Sequence, residues 1–144
     1  MALTVEPATA DDLESVRALL RAASLPVGGV DGPRVRLWVA RDGGRIVGSA
    51  ALEIHGDAAV LRSVCVDAAG RGTGLGVRLV RFCIESARTH GLVALYLLTE
   101  TAAEWFPRFG FVCSDRDDVP EAVARSVEYA SLCPSSAVSM KLEL

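Results

Sequence analysis

The order of apolar and polar positions along this chain predicts strands interrupted by a few helices. Leu3-Thr4-Val5-Glu6-Pro7 reads as a short opening strand. Thr9 is placed to cap a helix, with Asp12 three residues on, and Leu13, Val16, Leu19 and Leu20 then recur at helical spacing to about Ala23. The segment 24–33 holds three glycines and two prolines, so it reads as a loop, a candidate lid or substrate rim. Apolar runs over 35–40 and 46–54, joined through Asp42-Gly43-Gly44, predict a hairpin, and His55-Gly56-Asp57 turns the chain into a further strand over 59–66. Between Gly74 and Thr89 a helical stripe of Leu75, Leu79, Phe82, Cys83 and Ser86 is expected to face inward, with Gly91 as its stop. Val93 to Leu98 is an unbroken apolar run, as in a strand covered on both faces. Helices are expected over 101–108 and 120–129, with strands over 110–113 and 137–142, the last closing the sheet. That mixed order implies one domain over residues 1–144, an α/β fold built as a three-layer α/β/α sandwich.

The densest chemistry lies where the fourth strand meets the helix that follows. Val64-Cys65-Val66 ends the strand, and Gly70, Gly72, Gly74 and Gly76 fall within the next ten residues. Glycines bring several backbone N–H groups into one concavity, and the helix start behind them adds unpaired donors and partial positive charge. Such a turn suits a phosphate or pyrophosphate. A Walker-type loop needs Lys and then Ser or Thr after its last glycine, but Val77 and Arg78 follow Gly76. A dinucleotide fingerprint starting at Gly72 or Gly74 would need its third glycine at Val77 or Leu79.

Bulk properties narrow the field. With 144 residues the chain suits a single domain, and its 51% hydrophobic and 23% charged residues are an ordinary globular mix. No stretch reads as a membrane span and the N-terminus does not read as a signal peptide. The net charge is −3, without a basic stripe, which argues against nucleic acid as a partner. Four cysteines show no metal or redox spacing, so no metal is expected, and the simplest setting is a reducing cytoplasm.

The remaining pattern, Arg71-x-x-Gly74-x-Gly76 directly after a Val-x-Val strand end, resembles the acetyl-CoA signature of the GNAT acetyltransferase superfamily. Trp105-Phe106-Pro107-Arg108-Phe109-Gly110-Phe111 resembles that family's aromatic turn about 30 residues later. The resemblance implies a GNAT-type sandwich around a mixed, mostly antiparallel sheet, with acetyl-CoA as co-substrate. It also implies that Val64, Cys65 and Val66 pair with the pantetheine arm, and that Arg71, Gly72, Thr73, Gly74, Leu75 and Gly76 hold the pyrophosphate. The loop over 24–33 leaves little room for the family's usual second helix. The strand before the glycine turn lacks the common Glu, carrying Val60 and Arg62. Phe106 stands where many members place a tyrosine acid, and it has no proton to give.

Other groups must therefore meet the acceptor. Glu53 and His55, two apart on one strand, are the candidate bases. Glu100 is a third, beside Thr99 as a contact to substrate or co-substrate or as a helix cap. Arg62 suits a carboxylate clamp or a salt bridge across the sheet; Trp38 and Arg36 on the neighbouring strand are candidates to line the same cleft, with the core as the alternative for Trp38. Tyr129 is a candidate relocated acid. Leu61-Arg62-Ser63-Val64, Leu98-Thr99-Glu100-Thr101-Ala102 and the tail from Arg116 through Glu128-Tyr129 and Cys133-Pro134 resemble the ArsN-like subgroup associated with arsenic resistance, and amino-acid acetyltransferases of the N-acetylglutamate synthase type. The acceptor this implies is a small amino-acid-like amine, including arsenic-containing or phosphinic ones. Cys133 would then shape the acceptor loop, while Cys113 and Cys133 lack chelate spacing for arsenite. A homodimer stays open. Alternatives are a protein or peptide N-acetyltransferase and a catalytically silent acyl-CoA sensor.

Overall fold

The computed structural model describes residues 3–132 and 135–144. Seven strands form one sheet in the order β1-β2-β3-β4-β5-β7-β6. They are β1 (Leu3–Pro7), β2 (Val35–Asp42), β3 (Arg45–His55), β4 (Ala58–Val66), β5 (Ala94–Thr99), β6 (Val112–Ser114) and β7 (Val138–Glu143). Every neighbouring pair is antiparallel except β4 with β5.

Two helices flank the sheet on opposite sides. Helix α1 (Leu13–Ala22) buries Val16 and Leu20 against Val39 and Cys65. Helix α2 (Leu75–Thr89) covers the other face, burying Leu79, Val80, Cys83 and Ala87 against Trp38, Ala50, Leu52, Leu61 and Leu95. The strand period assigns each side chain to one of these faces. In β2, Val39 points to α1 while Trp38 and Ala40 point to α2. A third cluster, Val60, Tyr96, Val123 and Tyr129, fills the α1 side of β4 and β5. The three layers are those the sequence pattern implied.

The start of α1 is tied down electrostatically. Asp12 accepts from the backbone N–H of Thr9 at 2.8 Å and pairs with Arg41 at 2.5 Å, while Arg41 also contacts Glu6. The Arg41 contact is the foremost cause holding the Asp12 carboxyl below its ordinary value, with the Thr9 N–H next.

Several boundaries differ from expectation. The inward face of α2 is completed by Val80, Ile84 and Ala87, with Phe82 and Ser86 only half-buried. In place of a helix over 101–108 there is a single tight turn at Phe106–Phe109, which accommodates Pro107 and ends at Gly110 with φ 100°. The expected helix over 120–129 is broken. Helix α3 spans only Glu121–Ala124, and a wide π-type turn, Glu128–Leu132, follows. At the break the Ser126 hydroxyl accepts from the Tyr129 N–H, competing with helical pairing. The sheet is not closed by the last strand. Strand β7 pairs with both β5 and β6, leaving the three-residue β6 at the edge.

Candidate active site

The parallel strands β4 and β5 pair only at Ala58–Ala94, Ala59–Leu95 and Val60–Tyr96. Past Val60 they part, β4 continuing along β3 and β5 along β7. A cavity of about 600 Å³ opens in this fork, a size suited to a small-molecule site. Its walls come from Leu61–Val66 on β4, Leu97–Thr99 on β5, the loop after α1 and the aromatic pair Trp105 and Phe106.

The fork wall is bent by design of the strand. One extra residue on β4 shifts the register with β3 between Ser49 and Ala51. Ser63 adopts a φ of 57°, uncommon for a residue with a side chain. Ser49 Oγ donates to the Ser63 carbonyl at 2.7 Å, and Arg62 Nε donates to Ser63 Oγ at 3.2 Å. These bonds hold the kink that re-aims Val64, Cys65 and Val66 along the cavity.

At the end of β4, Asp67 Oδ1 accepts from the Gly70 N–H at 2.9 Å and Asp67 pairs with Arg45. Arg71, Gly72, Thr73 and Gly74 then form an exposed turn leading into α2. Gly72 and Gly74 each have φ 80°, a conformation that favours glycine. Gly76 lines the cavity, where an added Cβ would come within 3.4 Å of Trp105. Gly70, outside the quoted motif, is more constrained, since its Cβ would lie 2.9 Å from Val66. Leu75 is buried in the core beneath the turn. The turn thus places glycine backbone, the start of a 15-residue helix and Arg71 at one end of the fork. That is the donor set an anionic diphosphate needs.

The other end of the fork is built from side chains. Arg62 is wholly buried: its guanidinium donates to the Gly28 carbonyl at 2.7 Å and lies 3.6 Å from Glu53 and 3.5 Å from Glu128. It is a salt bridge across the sheet rather than an exposed clamp, and its Nη1 makes no hydrogen bond among the described residues. Glu53 and His55 do share a face and meet at 2.6 Å. They line a separate cavity of about 250 Å³ with Arg34 and Val127. Neither lines the fork. Trp38 belongs to the α2 core, edge-on to Phe82 with centroids 5.5 Å apart, and Arg36 contacts His90. Both are therefore away from the cleft.

Thr99 and Glu100 line the fork, and Thr99 Oγ1 also caps the next turn by accepting from the Ala102 N–H. Phe106 lines it too, a buried hydrocarbon wall packed edge-on against Phe111. The Tyr129 hydroxyl donates to the Leu97 carbonyl at 2.9 Å and lies 2.8 Å from Ser139 Oγ, so it anchors a turn. Burial pushes the Cys65 thiol up, and the Cys83 thiol up to about 12. Both are neutral packing groups. Cys113 is exposed, and Cys133 lies outside the described residues. Among the described residues no cluster could hold a metal ion, and no helix is long and apolar enough to cross a membrane. Glu128 is the carboxylate that residue patterns did not single out. It sits at the start of the π-type turn, lines the fork and is 4% exposed.

Residues 33–113 match the family described as Acetyltransferase (GNAT) domain, and the chain belongs to that family. It is 34% identical over 125 residues to an amino-acid acetyltransferase of Ralstonia nicotianae, which covers 79% of this chain and 27% of that protein. The chain thus spans about a quarter of that relative's length. The whole of it superposes on 35% of N-acetylglutamate synthase from Neisseria gonorrhoeae, complexed with coenzyme A and N-acetyl-glutamate, with a TM-score of 0.83 at 20% identity. A GNAT-family acetyltransferase from Staphylococcus aureus gives the same TM-score at 15% identity, with 99% of both chains covered. These two likenesses establish the fold.

Proposed function

We propose that this domain transfers the acetyl group of acetyl-CoA to the primary amine of a small amino-acid-like acceptor. The observation that carries this is the fork between β4 and β5, which runs from the glycine turn at α2 to a charged, side-chain-built end. The coenzyme A bound by the Neisseria gonorrhoeae synthase and the amino-acid acetyltransferase relative support both substrate classes.

Bound acetyl-CoA supplies an acetyl group already activated as a thioester. The N–H groups of residues 71–76 and the N-terminus of α2 receive its diphosphate, with Arg71 as counter-charge. The edge of Val64–Val66 that β5 leaves unpaired offers hydrogen bonds to the amides of the arm. A backbone N–H there also stabilises the oxygen that gains charge during attack. Phe106 and Trp105 exclude water on the opposite wall. Since Phe106 donates no proton, the C–S bond breaks with CoA leaving as its thiolate, and the proton the amine loses on forming the amide passes to water or to that thiolate.

The tail's resemblance to the ArsN-like subgroup extends the acceptor class to arsenic-containing and phosphinic amino acids. A reducing cytoplasm suits the neutral buried thiols of Cys65 and Cys83. The test is release of CoA thiol from acetyl-CoA with the twenty L-amino acids, a phosphinic amino acid, an arsenic-containing amino acid and short peptides. Turnover with free amino acids is expected. Turnover with peptides alone would replace this reading with peptide acetylation. Tight acetyl-CoA binding without turnover on any amine would replace it with acyl-CoA sensing.

A further inference from the structure

Arg62 lines the fork and lies near two carboxylates, which line different cavities. Glu53 faces the smaller cavity and is engaged by His55 at 2.6 Å. Glu128 faces the fork, where Arg62 Nε lies 3.5 Å from its Oε1. Two features fix Glu128 there. The Tyr129 hydroxyl ties its turn to the Leu97 carbonyl on the cleft wall, and Arg116 donates to the Tyr129 carbonyl at 3.3 Å. A turn of π-type geometry, rare and often found at functional sites, carries the residue inward.

We propose that Glu128 is the acceptor-binding carboxylate of the fork, receiving the ammonium group of the incoming amine. This rests on the acetyl-transfer reading for the identity of the acceptor, but the binding it describes is separate from transfer. Arg62, whose side chain has no exposed surface, is a positioning residue that keeps Glu128 aimed into the fork. An ionised carboxylate gives a primary ammonium a charge-assisted hydrogen bond. It gives none of comparable strength to an N-acetylated amine, which carries no charge. The site therefore favours substrate over product. The group this site reads is the acceptor's amine, and Arg62 beside it stays buried between Glu53 and Glu128.

The experiment is calorimetric titration of the CoA-saturated protein with the twenty L-amino acids and their N-acetyl forms. It compares wild type with Glu128→Gln, Glu128→Asp and Glu53→Gln, with CoA affinity and thermal unfolding measured on each. At least one free amino acid is expected to bind the wild type more tightly than its N-acetyl form. Glu128→Gln should weaken that binding by about tenfold or more and abolish the preference, with CoA affinity unchanged. Glu128→Asp, which keeps the charge, should restore the preference in part. Glu53→Gln, which disturbs the other carboxylate near Arg62, should lower the unfolding temperature while keeping the preference. Undiminished amine binding in Glu128→Gln overturns the proposal. So does equal loss of the preference in Glu53→Gln, which would mark a structural role alone, and so does failure of every amino acid to bind the wild type. Glu128-dependent binding without thiol release would leave this inference standing and remove the transfer reading.

Discussion

The two ends of the fork are made from different materials. The glycine-turn end is one continuous stretch, residues 64–76, and its working parts are backbone amides set by local conformation. The acceptor end gathers side chains from β4, from the turn after α3 and, behind Arg62, from β3. A backbone site tolerates change of side chains but not of φ, whereas a side-chain site depends on buried charges remaining matched.

The sharpest way to break that contrast is Gly74→Glu. At φ 80° a glutamate is strained, and it brings a negative charge to the turn proposed to receive a diphosphate. Acetyl-CoA affinity should fall by about 100-fold or more, equivalent to about 3 kcal/mol, while amine binding to the free protein is retained. Titration with CoA measures it, and normal affinity would remove the turn from the site.

A control outside both ends is Asp12→Asn, which loses the Arg41 ion pair and weakens the Thr9 cap. We expect a loss of about 1–2 kcal/mol of stability with both ligand affinities intact. Because the folded-state carboxyl lies below its ordinary value, its contribution is present above that value and disappears as the pH falls through the lowered one. The wild type should therefore lose stability more steeply than the variant in acid, as denaturant titrations at pH 7 and below pH 4 would reveal.

Tyr129→Phe removes the hydroxyl that anchors the Glu128 turn. A cost of about 1 kcal/mol is expected, with a higher KM for the amine and an unchanged one for acetyl-CoA. Equal changes in both constants would mean that the two ends are not separable. The smallest effect is expected of Phe106→Tyr, where a phenol is restored on the cleft wall. It should change kcat by no more than about tenfold and add an alkaline limb to the pH profile. An unchanged profile would show that this wall plays no part in proton transfer.

What the amino-acid pattern revealed follows the same division. The apolar runs of β2 to β5, the glycine turn and the three layers depend on neighbours in sequence, and the strands lie within two residues of where those runs put them. Glu53 and His55 were paired correctly by the two-residue strand period. That period does not say which cavity the shared face lines, and the pair faces the smaller one. Glu128 was hidden for a related reason. Its importance comes from a break at Ser126 and a π-type turn, neither of which has a hydrophobic period to announce it. Trp38 was ambiguous because a large aromatic on a strand suits a core and a cleft equally well.

The parting of β4 and β5 after three paired residues has a consequence for the life of the protein before it meets its ligands. It creates a strand edge in the middle of a sheet, the kind of surface that recruits other chains. In the proposed reading acetyl-CoA lies along that edge and covers it: starved of the co-substrate, the population should cluster sooner on heating, and saturated with it, later.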